Sequence, residues 1–207
     1  MQIKLYSRTI MNVRLFYDKD VNKNEMQSVI DGVNFTVSHC IGLGEATVGD
    51  LVAVDERFSA LFALESGQVN ASEILNAMPD ASNYESSIFV TSKDISVPGL
   101  NYILGASRIG KTVVSAARMD DLALEGCAAH ETGHAYGLVS KTSSQYAHSS
   151  KFDGHCSNKS CLMHPINSAE EMHSAVANMY GKFVLHFCKF CRSDLKNIPI
   201  NFFENHK

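Results

Sequence analysis

The sequence has no long apolar run and no excess of charge of one sign. No stretch approaches the ~18 consecutive apolar residues that a membrane-spanning helix needs, so we expect no membrane segment. The formal net charge of -4 lacks the basic excess of nucleic-acid-binding proteins, which argues against nucleic acid as a partner. Residues 1–6 are too short and too polar for a signal peptide, so we expect a cytoplasmic protein.

The chain also lacks an internal repeat and a linker rich enough in glycine, proline or serine to separate two domains. Its 207 residues are 45% hydrophobic and 19% charged, which is ordinary for a chain that buries a sizeable core. The sequence therefore predicts one domain over residues 1–207. Neither the oligomeric state nor the substrate can be derived from this composition.

The remaining pattern mixes short strands with capped helices. Strands are predicted at 13–17, 35–40, 87–91, 100–105 and 111–116, the last two as a hairpin, and 51–54 is compatible with a strand. Helices are predicted at 25–30, from 70 to Pro79, from 120 or 121 onward, and from 168 to about 180. The Ser-rich stretch 139–154 predicts a loop.

The helix that begins at Asp120 or Asp121 carries the pattern H-E-x-x-H. His130 and His134 are four residues apart, so at about 100° per residue they lie on one helix face, ~40° from each other. Two such imidazoles can bind one zinc ion, and Glu131 would then be close enough to take a proton from a zinc-bound water. Gly137 would end the helix through a left-handed residue.

The cysteines are clustered towards the end of the chain. Two short-spaced pairs, 26 residues apart, can close on a single tetrahedral Zn²⁺: Cys156 with Cys161, and Cys188 with Cys191. Without a secretion signal, such clustering favours metal binding over disulfides. Cys40 and Cys127 are interpreted as simple buried thiols.

Three motifs together resemble one family. H-E-x-x-H-x-x-G from His130, then H-C-x4-C-x-M from His155, then C-x2-C from Cys188, are similar to the motifs of the archaemetzincins, a metzincin-type branch of zinc metallopeptidases. Residues 88–118 also resemble the strand pair that precedes the active-site helix in that family. The resemblance covers roughly residues 85–195.

The resemblance implies a fold, a cofactor and roles for residues. The fold would be α+β and metzincin-like: a twisted mixed β-sheet with the active-site helix packed on it (residues 1–138) and a small zinc-bound C-terminal subdomain (residues 139–207). Two Zn²⁺ would be bound per chain. Glu131 would be the general base and Met163 would form the Met-turn. The catalytic zinc would be held by His130, His134 and His155, and the structural zinc by Cys156, Cys161, Cys188 and Cys191.

The third histidine is the point at which this chain departs from the family. The family has it three positions after the glycine, where this chain has Ser140, and His155 comes fifteen residues later. His155 directly precedes Cys156, which favours it over His148, although both stay open. A longer loop is tolerable, because doubling its length costs only about 0.6 kcal/mol.

Three functions remain in competition. The first is a zinc metallopeptidase acting on peptide or protein substrates, with no nucleic-acid or membrane partner. The second is a catalytically inactive, metzincin-like zinc-binding protein that serves as a protein-interaction module, which would follow if the long loop kept His155 away from the metal. The third is an independent zinc ribbon formed by the four clustered cysteines.

Overall fold

The computed structural model describes residues 11–38, 46–54, 62–64, 66–80, 85–139, 154–181 and 187–196. Within these residues, a five-stranded mixed β-sheet has helices packed on both of its faces. The strands are β1 (Met11–Asp18), β2 (Ala46–Val54), β3 (Val69–Asn70), β4 (Glu85–Thr91), β5 (Ile95–Ser96), β6 (Gly105–Arg108) and β7 (Lys111–Ser115). The helices are α1 (Lys23–Ser38), α2 (Ala71–Ala77), α3 (Asp121–Ala135), α4 (Ala169–Tyr180) and α5 (Lys189–Lys196).

The strand order in the large sheet is β2-β1-β4-β7-β6. The first four strands run parallel, with Leu15 opposite Ile88 and Ile88 opposite Thr112. The outermost strand, β6, is antiparallel to β7 and joins it through a tight turn in which Gly110 has a φ of 72°. β6 is therefore the edge of the described sheet, and it runs along the side on which α3 lies.

Alternation along the strands divides the core into two layers. Leu15, Ile88 and Val90 are buried on the face that α1 and α3 cover, whereas Phe89 and Val113 are buried on the opposite face, beneath α2. Successive side chains of a strand point to opposite faces, so parallel strands covered on both sides are apolar on both. The predicted fold class, an α+β protein with a mixed sheet and a helix packed on it, is confirmed.

The prediction of a strand over 35–40 was wrong. Residues 35–38 are the last turn of α1, and 39–40 lie outside the described residues. The buried positions of α1 recur every three or four residues, as a helix that packs along one face requires. At Gly32 an added Cβ would lie 2.2 Å from the Glu125 carbonyl oxygen, so the backbones of α1 and α3 are in direct contact. This packing overrides the β propensity of the stretch Phe35–Val37.

The hairpin was predicted correctly in kind but not in extent. β6 begins at Gly105, and of the preceding five residues Ile103 alone makes an isolated bridge, to Ile95. The predicted helix starts at Asn70, Asp120 and Ser168 are all confirmed by hydrogen bonds from the first helical N–H groups to the capping side chain. Among the described residues, no helix combines the length and the apolar character needed to cross a membrane.

Candidate metal centre

The last turn of α3 determines where its two histidines point. Gly137 has a φ of 79° and its N–H donates to the His134 carbonyl at 2.8 Å, while the Leu138 N–H donates to the Gly133 carbonyl at 2.9 Å. This pair of bonds is the Schellman motif, which glycine favours because it lacks a Cβ. The helix therefore ends at Ala135, one residue after His134, and the chain then turns away from the His134 ring.

Three histidines converge beside this helix end. One ring nitrogen from each of His130, His134 and His155 lies within 4.8 Å of the others, and the Nε2 atoms of His130 and His134 are 3.1 Å apart. Ligand nitrogens around a tetrahedral Zn²⁺ with bonds of 2.0–2.1 Å are separated by about 3.3 Å. The spacing of the rings thus fits a common ion with a fourth position left for another ligand.

The protonation of His130 suits metal binding. Its Nδ1 lies 2.7 Å from the Leu162 carbonyl oxygen, which can only accept, so Nδ1 carries the proton and Nε2 keeps its lone pair for the shared space. Burial lowers the pKa of His130 to about 4. Burial also holds the pKa of His134 well below its usual range, with smaller effects of the same sign from His130 and His155. Neutral imidazoles are the form that binds a metal.

Glu131 is held by the edge strand β6. The Ser107 hydroxyl lies 2.7 Å from Oε2 of Glu131 and 2.8 Å from the Glu131 main-chain carbonyl oxygen. A Cβ added to Gly105 would lie 2.5 Å from Cγ of Glu131, so only glycine leaves room for the carboxyl group. Burial raises the pKa of Glu131 to about 7, against opposing effects of the Ser107 hydrogen bond and His155. A carboxyl group whose pKa lies near 7 can take up and release protons at physiological pH.

The segment that follows His155 folds back under α3. The Cys156 N–H donates to the Met163 carbonyl at 2.8 Å, which closes a loop over residues 156–163. Met163 is fully buried, and a Cβ at Gly133 would lie 2.7 Å from its sulfur. The thioether therefore packs against the helix between the turns that carry His130 and His134. That Met163 forms the Met-turn implied by the resemblance stays a prediction.

The four clustered cysteines meet in a second, separate group. Their sulfur atoms all lie within 4.8 Å of one another, and the four residues are buried: Cys156, Cys161, Cys188 and Cys191. The sulfurs of Cys156 and Cys188 are 3.8 Å apart, far beyond a disulfide bond and equal to the separation of about 3.8 Å that Zn–S bonds of 2.3 Å give in a tetrahedron.

Two backbone N–H groups donate to sulfurs of this cysteine group. The Cys188 N–H donates to the Cys161 sulfur at 3.2 Å, and the Asn158 N–H donates to the Cys156 sulfur at 3.4 Å. A hydrogen bond from the Cys191 thiol, aided by the Cys188 N–H, lowers the pKa of Cys161 to about 5, and the same thiol–sulfur bond raises the pKa of Cys191. Burial raises the pKa of Cys156 to about 12. The donor set and its spacing fit a closed structural Zn²⁺ site.

A cleft of about 750 Å³ opens beside the histidines. Its lining comes from three parts of the chain: β6 with the residues that precede it, the part of α3 that carries Glu131, and residues 165–167 with Met172. Leu104, Ile109 and Ile166 make this lining partly apolar. The volume is that of a site for a drug-sized molecule or a few residues of extended chain.

The structure brings the sequence-predicted residues together in two groups, and it shows contacts that the sequence did not reveal. His155 completes the histidine group, while Ser140 and His148 lie outside the described residues. Cys127 is buried apart from the cysteine group, and Cys40 also lies outside the described residues. The contacts of Gly105 and Ser107 with Glu131 had no signal in the sequence, because they join residues 24 or more positions apart. That the two groups bind zinc remains a prediction.

The chain is similar over part of its length to a curated protein. That protein is an archaemetzincin from Methanopyrus kandleri, 31% identical over 117 residues, which are 52% of this chain and 54% of the relative. The match thus spans about half the length of that relative. No protein-family model matches the chain.

Solved structures extend the likeness to nearly the whole chain. The crystal structure of archaemetzincin from Methanopyrus kandleri has a TM-score of 0.65 and 25% identity, covering 90% of this chain and 93% of that chain. The archaemetzincin from Archaeoglobus fulgidus, complexed with malonate, has a TM-score of 0.61 and 22% identity over 89% and 99%. A zinc-dependent peptidase from Methanocorpusculum labreanum shares the fold with a TM-score of 0.55 and 20% identity over 89% and 100%. The sequence match and the shared fold agree with the resemblance of the motifs to those of the archaemetzincins.

Proposed function

We propose that this protein is a zinc metallopeptidase that hydrolyses peptide bonds. One observation carries the proposal: three histidine nitrogens lie within 4.8 Å of one another, and they line with the partly buried Glu131 a cleft large enough for a few residues of a peptide. Three histidines with an open fourth position make a catalytic zinc site rather than a closed structural one. The name of one structural neighbour, a zinc-dependent peptidase, agrees with this assignment.

Different residues of the chain would bind the metal, transfer the proton and position the substrate. His130, His134 and His155 would hold the zinc ion, which supplies a water of near-neutral pKa and polarises the scissile carbonyl. Glu131 would accept the proton of that water as it attacks the carbonyl carbon and would then deliver the proton to the leaving amine. The cleft walls would position the peptide along β6, whose outer edge can pair with an extended chain.

The four clustered cysteines would hold a second, structural zinc. This ion would fix the segment that runs from Cys156 through Met163 to α5, and His155 directly precedes this segment. We propose a single domain over 1–207, in which residues 1–138 supply the sheet and α3, and residues 139–207 supply the third histidine and both cysteine pairs. The substrate would be a peptide or protein and not a nucleic acid. The five described cysteines are free, which suits the cytoplasm.

Metal analysis of the purified protein tests the two sites. We expect two zinc ions per chain, falling to about one in the double variant His130→Ala/His134→Ala, because the cysteine group is separate. A single zinc in the wild type that survives this change would rule out the histidine site and favour the inactive zinc-binding relative.

Substitution of the general base tests catalysis. Glu131→Gln should keep both zinc ions and lose peptide hydrolysis by at least ~100-fold, since proton transfer contributes about 100-fold or more. Glu125→Gln is the matched control, because Glu125 lies on the same helix and contacts Tyr180 outside the cleft. Hydrolysis by Glu131→Gln at the rate of Glu125→Gln would contradict the assignment.

A further inference from the structure

One hydroxyl group on the edge strand contacts Glu131 twice. Ser107 Oγ lies 2.7 Å from Oε2 and 2.8 Å from the main-chain carbonyl oxygen of the same residue. A hydroxyl group has a single proton, so it can donate fully to only one of these oxygens at a time. An ionised carboxylate is the stronger acceptor, because charge-assisted hydrogen bonds are about twice as strong as neutral ones.

We propose that Ser107 is the positioning residue of Glu131: its hydroxyl donates to Oε2 and fixes the orientation of the carboxyl group in the cleft that the histidines also line. This inference rests on the proposed role of Glu131 as general base. Gly105 contributes to the same arrangement from one side. A Cβ at this position would lie 2.9 Å from Cδ and 3.1 Å from Oε1 of Glu131, so its absence leaves the space that the carboxyl group occupies. β6 thus holds the base in one conformation before any substrate arrives.

The neighbouring hydroxyl of Thr112 separates this role from a purely structural one. Thr112 Oγ1 lies 3.5 Å from the same main-chain carbonyl oxygen of Glu131 and 3.4 Å from Ser107 Oγ, and its hydrogen bonds do not include the carboxyl group. If the hydroxyl groups served only to fasten β6 and β7 to α3, loss of either would have the same consequence. If Ser107 positions the base, its loss alone affects the carboxyl group.

The test compares Ser107→Ala with the control Thr112→Val, which removes a buried hydroxyl without changing the shape of the side chain. Crystal structures should show the Glu131 carboxyl group displaced or in several conformations in Ser107→Ala and unmoved in Thr112→Val. In zinc-loaded protein, kcat for a peptide should fall about tenfold in Ser107→Ala with KM and zinc content unchanged, as for a hydrogen bond to a charged group. Ser107→Thr, which keeps the hydroxyl, should restore the wild-type values. Ser107→Cys replaces Ser107→Ala if the latter does not fold.

Each outcome decides the inference. A carboxyl group that stays in place in Ser107→Ala overturns it, as does an unchanged kcat or an equal loss in Thr112→Val. If the wild-type protein binds zinc but hydrolyses no peptide, the proposed function fails while the position of the carboxyl group in the crystal structures still decides the role of Ser107.

Discussion

The substitution Gly105→Ala should separate activity from stability in this protein. The new Cβ would lie 2.5 Å from Cγ, 2.9 Å from Cδ and 3.1 Å from Oε1 of Glu131. Carbon atoms in contact are normally about 3.5–4.0 Å apart, so the side chain of Glu131 must move by about 1 Å. A displacement of about 1 Å in a reacting group costs about 100-fold in rate.

The stability of the same variant should hardly change. Gly105 has no positive φ, and alanine in place of glycine within a strand gains roughly 0.5–1 kcal/mol. The clash is with side-chain atoms and not with backbone, so rotation of Glu131 relieves it. The rotation costs the hydrogen bond from Ser107, which offsets the gain.

Three measurements check the prediction: kcat/KM for a fluorogenic peptide, zinc per chain, and the free energy of unfolding in urea. We expect kcat/KM to fall about 100-fold with zinc content and unfolding near the wild type. Gly181→Ala is the control, because Gly181 has a φ of −59° and its Cβ would meet nothing closer than 3.4 Å. A Gly105→Ala enzyme with wild-type kcat/KM would refute the reasoning that β6 confines the carboxyl group.

Three further predictions concern packing, capping and the second metal group. Gly32→Ala should lower the free energy of unfolding by about 2 kcal/mol and the Tm by several degrees, because its Cβ would meet backbone that cannot rotate away, which outweighs the helical gain of about 1 kcal/mol. Asp120→Ala should cost about 1 kcal/mol at neutral pH through loss of the cap on Ala123 N–H. That hydrogen bond lowers the pKa of Asp120 in the folded protein, so the stabilisation is complete above the pKa of the unfolded chain, near 3.9, and is lost as the pH falls through the lower folded pKa. In urea unfolding, the cost of Asp120→Ala should therefore be smaller at pH 3 than at pH 7. An equal cost at both pH values would contradict this. Cys161→Ser should reduce the zinc content from two ions to one, measured by elemental analysis, and retention of two would exclude it as a ligand.

Local features of the structure were predictable where neighbouring residues decide them. The caps at Asn70, Asp120 and Ser168 and the left-handed Gly137 were predicted, since each depends on hydrogen bonds within a few residues. Strand β4 was predicted for the same reason, because its β-branched and aromatic residues suit a buried strand.

Other features escaped the sequence because distant residues decide them. Residues 35–38 have strand propensity, yet α3 packs against α1 and makes them helical. The edge strand was assigned five residues too early, because nothing local marks the point at which β6 starts to pair with β7.

The sequence by itself determined the parts of the candidate site. The spacing of His130 and His134 places both on one helix face through helical geometry alone. The short spacings of the cysteines keep the two members of each pair close together. The tertiary structure decided how these parts meet. His155 lies beside the histidines of α3, and Ser107 of β6 donates a hydrogen bond to Glu131. Both contacts join segments that are far apart in the sequence. Only the packing of sheet, helix and C-terminal segment fixes such distances, because no local preference of the backbone acts across them.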